Sequence, residues 1–117
     1  MKIVVEEIPG LFAVCKVKDF SGVDFAKEFT FTAKTDEENS LVCRSEDVPE
    51  NFIERSDGWK AFRVKGVLDF SLVGILAEIS SKLAHEGIAL FAVSTYNTDY
   101  ILVKEEYFDR AINILQK

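Results

Sequence analysis

Apolar and polar positions along this chain follow two different periods. From Trp59 to Lys65, Phe62 and Val64 fall on one side and Arg63 and Lys65 on the other. That period of two predicts a half-buried strand. From Leu72 to Glu86 the period lengthens, and Leu72, Ile75, Leu76, Ile79 and Leu83 form one stripe at helical spacing. Ser71 suits the start of that helix, and Gly87 suits its left-handed stop. Residues 88–93, IALFAV, are apolar on both alternating faces and predict a central, covered strand. Residues 99–104, DYILVK, predict the strand that pairs back onto it. A second helix is expected from Glu106 to Gln116. Phe108, Ala111, Ile112 and Leu115 make its stripe, and Glu105, Glu106 and Asp109 stand near its positive end.

The order β-α-β-β-α repeats more faintly in the first half. LFAVCKV, residues 11–17, predicts a strand, and KDFSGVDFAKE, 18–28, a short crossover with at most two helical turns. FTFTAK, 29–34, alternates with Phe29, Phe31 and Ala33 inward, TDEEN is a turn, and SLVCRS is the return strand. EDVPENF starts like a helix and is interrupted by Pro49. An offset of 60 aligns Phe31 with Phe91, Thr35 with Thr95, Leu41 with Ile101, Arg44 with Lys104 and Glu46 with Glu106. A duplication with its boundary in ERSDG, 54–58, accounts for this register. Each half lacks the last strand of a full βαββαβ unit. The spare strand at residues 2–6 is therefore expected to fill the vacant edge of the second sheet.

Composition narrows the classes. A chain of 117 residues with 48% hydrophobic content and ten Phe has the material for a core without staples. The net charge of -6 argues against a nucleic-acid binder and against attachment to an anionic membrane surface. Cys15 and Cys43 fit no metal or redox spacing and read as small buried hydrophobes. MKIVVEEIPG has three consecutive apolar residues before acid intervenes, which predicts neither a signal peptide nor a span and points to a soluble cytoplasmic protein.

Candidate chemistry is sparse. His85, the single histidine, sits in the last turn of the first long helix, and no nucleophile elbow, HExxH, Walker or dinucleotide glycine pattern appears. Carboxylate pairs such as Glu37–Glu38 and Glu105–Glu106 read as solvated charge. The loop GVLDFSLVG, 66–74, says more. Gly74, one turn inside the expected helix, costs about 1 kcal/mol relative to Ala. Close approach of a ligand or of another backbone would explain it, and so would tight helix-to-sheet packing. The free N–H groups of a helix start also welcome a carboxylate. The second hairpin carries a polar knot, Ser94, Thr95, Tyr96, Asn97, Thr98 and Asp99, with no glycine. Asp99 either presents a carboxylate to a ligand ammonium or caps the turn. Asn97 is expected in the left-handed region, and Tyr96 and Tyr100 suit cross-strand pairing.

Residues 59–115 resemble the small bacterial ACT-domain proteins related to the CASTOR-type arginine sensors. The likeness is most specific in AFRV, LDFSLVGILAEIS and GIALFAVSTYNTDYILVKEE. The first half resembles the degenerate N-terminal ACT unit of that family through LFAVCKV, DEENSLVC and VPE. The resemblance implies an α+β, ferredoxin-like fold of two tandem ACT units of βαββαβ type, with antiparallel sheets backed by helices. The units would be residues 1–56 and 57–117. It implies a free-standing, non-enzymatic amino-acid sensor or regulator, with no cofactor and no metal. The implied ligand residues are Asp69, Phe70, Ser71, Leu72, Val73 and Gly74 in the loop, with Ser94, Thr95 and Asp99 in the hairpin. The expected partners are a free amino acid, a second copy in a homodimer and a regulated protein. The alternative is a ligand-free protein–protein interaction module that retains the fold.

Overall fold

The structure is a computed structural model that describes residues 3–65 and 74–116. Among the described residues, six strands and two helices follow in the order β1 (Val5–Val17), β2 (Phe31–Lys34), β3 (Asn39–Arg44), β4 (Phe52–Val64), α1 (Ile75–His85), β5 (Phe91–Ser94), β6 (Asp99–Lys104) and α2 (Phe108–Gln116). Short 3-10 turns, Ser45–Asp47 and Glu105–Tyr107, follow β3 and β6. The chain divides into two compact units. A C-terminal unit combines Met1–Pro9 with Lys60–Lys117, and an N-terminal unit comprises Gly10–Trp59.

In the C-terminal unit the strand order is β1-β4-β6-β5. Phe62 and Val64 of β4 and Ile101 and Val103 of β6 bury against Ile79 and Leu83 of α1 and Phe108, Ala111 and Leu115 of α2. Each fully buried side chain of this size stabilises the fold by about 1.5–3 kcal/mol. Phe62 meets Phe108 with ring centroids 6.3 Å apart at 60°, a tilted pair. Ile3 joins the same core, and the Lys65 N–H bonds the Val4 carbonyl at 2.8 Å. Helix α1 ends in a Schellman motif: Gly87, at φ 72°, donates to the Ala84 carbonyl at 3.0 Å, and Ile88 donates to Leu83 at 2.9 Å. Ile88 and Leu83 then pack together in the core, so the helix stop is also an apolar contact.

In the N-terminal unit the order is β2-β3-β1-β4. Its core is smaller. Ala13, Cys15 and Val17 of β1 lie with Leu41 and Cys43 of β3, covered by Phe20, Val23 and Val48. Residues 18–28 form turns rather than helix, held by Val23 N–H to Phe20 O at 3.1 Å and Lys27 N–H to Asp24 O at 3.2 Å. The expected strand 29–34 begins only at Phe31, because Phe29 sits at φ 58°, outside the extended region. Ala33 is exposed rather than inward. Both cysteines are free and buried, and burial pushes the Cys43 thiol up to about 12. They serve as core residues and stay protonated.

Two strand boundaries differ from the periodicity. Residues 2–6 and 11–17 were expected as separate strands, yet β1 runs unbroken from Val5 to Val17. The expected boundary at 54–58 lies inside β4. The reason is glycine. Gly10 at φ 101° and Gly58 at φ 81° adopt backbone that other residues rarely reach, so each strand turns locally without ending. The run 88–93 was expected as a central strand. The chain spends Ile88, Ala89 and Leu90 returning from α1, and β5 pairs only from Phe91, at the end of its unit's strand order.

A candidate site at the second hairpin

The β5–β6 hairpin pairs Phe91 with Leu102, Ala92 with Ile101, Val93 with Tyr100 and Ser94 with Asp99. Residues 95–98 close it. The Thr95 N–H donates to the Thr98 carbonyl at 2.9 Å. The Thr95 hydroxyl donates to the same carbonyl at 3.0 Å and accepts the Thr98 N–H at 3.5 Å. A side-chain hydroxyl thus does locally what a glycine turn would otherwise do. Asn97 does not take the expected left-handed conformation: Phe29 is the described non-glycine residue with positive φ. Tyr96 projects outward, 79% exposed.

Thr98 points the other way. It is 6% exposed, and its hydroxyl donates to the Val64 carbonyl at 2.9 Å, at the last residue of β4. Beside it, Asp99 receives a hydrogen bond from the Ser94 hydroxyl at 2.6 Å, a short bond to a charged acceptor. On β6, the Tyr100 oxygen accepts from Arg63 Nη1 at 3.1 Å, and Arg63 Nε donates to Glu6 at 2.8 Å. Those bonds, Tyr100 first and Glu6 second, raise the already high guanidinium pKa.

Of the residues singled out from sequence, the structure brings Ser94, Thr95 and Asp99 together in one turn. Asp69, Phe70, Ser71, Leu72 and Val73 lie outside the described residues. Gly74 is not inside the helix. It is the residue before α1, at φ 90°, and its carbonyl accepts the Glu78 N–H at 2.8 Å. Among the described residues, no atom lies within 4 Å of the position its Cβ would take. Its positive φ by itself favours glycine here. His85 ends α1 at an open groove lined by Ser81, Lys82, Glu86 and Ile114, where Glu86 pairs with Arg110 at 3.1 Å. No group of three His, Cys, Asp or Glu residues that could hold a metal ion occurs among the described residues. No described helix is long and apolar enough to cross a membrane.

Sequence reasoning passed over Thr98 and the Glu6–Arg63–Tyr100 chain. A signal for Thr98 was present. At the offset of 60 it falls on Glu38, so a charged turn residue is exchanged for a small hydroxyl.

An antiparallel sheet with two helices on one face, and a polar turn against a strand end, make the C-terminal unit a small α+β module. Residues 54–117 match the ACT domain family, and the chain belongs to it. The human cytosolic arginine sensor for mTORC1, subunit 1, is 37% identical over 60 residues, which are 50% of this chain and 18% of that protein. The chain thus spans about a fifth of the curated relatives it matches. A crystal structure from Agobacterium tumefaciens superposes with a TM-score of 0.86 at 25% identity, covering 98% of this chain and 87% of that one. The regulatory subunit of aspartate kinase from Thermus thermophilus shares the fold, with a TM-score of 0.65 at 9% identity over 98% of this chain and 97% of that one.

Proposed function

We propose that this chain is a non-enzymatic regulatory protein that binds a free amino acid at the second hairpin. The observation that carries the reading is Asp99. Its carboxylate stands at the hairpin tip, and the side-chain bond it receives among the described residues comes from Ser94. A ligand ammonium or basic side chain would complete its shell. In this reading Asp69, Phe70, Ser71, Leu72, Val73 and Gly74 supply backbone N–H groups to the ligand carboxylate, and Ser94 and Thr95 frame the other wall. No cofactor takes part. The two units are tandem ACT units, with the strand at residues 2–6 completing the second sheet. The protein works in the cytoplasm as a homodimer that passes the ligand signal to a protein partner, and a monomeric elution profile at micromolar concentration contradicts the dimer.

L-Arginine is the first ligand to try, because the human relative is named an arginine sensor. A thermal-shift screen with all twenty amino acids, followed by calorimetry, tests the reading. At a ligand concentration 100 times Kd, stability rises by about 2.7 kcal/mol. One selective hit supports the sensor. No shift with any amino acid overturns it in favour of a ligand-free interaction module.

A further inference from the structure

We propose that Thr98 is the positioning residue of this site: by tying the second hairpin to the end of β4, it releases Asp99 from structural duty and holds its carboxylate ready for a ligand. The proposal rests on the amino-acid-binding reading. It comes from comparing two turns that share a backbone. In both, a threonine N–H donates to the residue three positions on, Thr35 to Glu38 and Thr95 to Thr98, each at 2.9 Å. In both, the threonine hydroxyl accepts the returning N–H, from Glu38 at 3.1 Å and from Thr98 at 3.5 Å. In both, one side chain fastens the hairpin to the chain at the end of an earlier strand. The fastening residue differs.

In the first hairpin it is Asn39, whose side-chain N–H reaches the Lys18 carbonyl, one residue past β1, at 2.8 Å. Asn39 is the equivalent of Asp99. In the second hairpin the fastening moves back one position, to Thr98, which donates to Val64 at 2.9 Å. Thr98 is also buried, unlike Glu38, which is exposed. A carboxylate could not take over the Asn39 role, because it has no proton to give a carbonyl. An acid at position 99 therefore requires a donor elsewhere, and Thr98 is that donor. Cross-strand Ser94 then sets the carboxylate rotamer through the 2.6 Å bond.

A double-mutant cycle read by calorimetry tests this, with L-arginine as first probe and the other nineteen amino acids in the same format. Thr98→Val keeps the shape and removes the donor; Thr98→Ala removes it too, should the valine variant not fold. The expected result is a loss of affinity of about tenfold, restored by Thr98→Ser, with little further loss when Thr98→Val is added to Asp99→Asn. Equal losses in the two backgrounds, or none in either, overturn the positioning role while the binding reading stands. Wild-type protein that binds none of the twenty overturns both. Amide exchange on the free protein gives a readout that needs no ligand. Thr98→Val should speed exchange at residues 95–99 and leave α2 unchanged, and unchanged exchange at the hairpin overturns the proposal.

Discussion

The two hairpins of this chain have one backbone plan and two different surroundings. β2 and β3 span residues 31–34 and 39–44, β5 and β6 span 91–94 and 99–104, and each return strand buries the same three central positions. Even the residues before the 3-10 turns match: Arg44 at φ -62°, ψ 146° and Lys104 at φ -62°, ψ 144°. What differs is the cover. Ile101 and Val103 lie under two helices, while their equivalents Leu41 and Cys43 lie under turns and single side chains. A duplicated hairpin keeps its geometry because its own turn bonds dictate it. The layer above can then diverge, one copy holding a full core and the other freed from helix packing.

The sharpest way to test that contrast is to empty equivalent core positions. Ile101→Ala should cost about 4 kcal/mol and Leu41→Ala about 3 kcal/mol in urea unfolding, because turns collapse onto a cavity more readily than packed helices. Equal costs would break the distinction between the two covers. The next effect separates the polar positions. Asp99→Ala should weaken amino-acid binding by roughly 1.5–3 kcal/mol with little effect on folding, whereas Asn39→Ala should lower stability by about 1 kcal/mol and leave binding alone. Calorimetry and thermal melts on the two variants decide it, and loss of binding in Asn39→Ala would contradict the division of labour.

The strand glycines give a third comparison. Gly58→Ala should cost about 1 kcal/mol, the strain of its positive φ alone. Gly10→Ala should cost about 2 kcal/mol, because the new Cβ would also lie 2.8 Å from Arg44 Nε. That side chain cannot easily retreat, since it stacks 5.4 Å from the rings of both Phe12 and Phe29. Similar melting temperatures for the two variants would show that Arg44 yields. The smallest effect is in pH. The Ser21 hydroxyl bond, with the Ser21 N–H and the Asn51 side chain, holds the Asp19 carboxyl below its usual value. A depressed acid stabilises the fold above its ordinary pKa of about 4 and loses that contribution as pH falls through the lower folded value. Ser21→Ala should therefore flatten the acid side of the stability profile, and an unchanged slope below about pH 4 removes Asp19 from it.

Much of this architecture was written in periodicity. The α1 and α2 stripes at Ile79, Leu83, Phe108, Ala111 and Leu115 are the buried ones, since a 3.6-residue repeat over two or more turns leaves little alternative. The offset of 60 was legible because both turns use the same threonine chemistry. Continuity of β1 and β4 was not. Gly10 and Gly58 sit beside proline, aspartate and serine, the composition of a break, and only their φ values reveal strands that carry on. IALFAV misled for a related reason: Ile88 is apolar because it closes the Schellman motif, not because it pairs in a sheet. At the site, Ser94 and Asp99 could be paired in advance as hairpin neighbours. The Thr98 bond to Val64 joins residues 34 apart in sequence, a contact that spacing does not announce.

The C-terminal unit is sewn from both ends of the sequence: Ile3 lies in a core otherwise built from residues 62–115. That has a kinetic consequence. Gly10–Trp59 is one uninterrupted stretch and can begin to fold as soon as it emerges during synthesis. The other unit must bring Val4 to Lys65 and then wait for α2, which is made after β6, so its closure is a long-range event that pays its loop entropy before any contact returns it. The opening residues thus reach their final place only after the stretch between them and Lys60 has been laid down. Until then, the apolar Ile3-Val4-Val5 segment stays without its core, exposed to whatever the growing chain meets first.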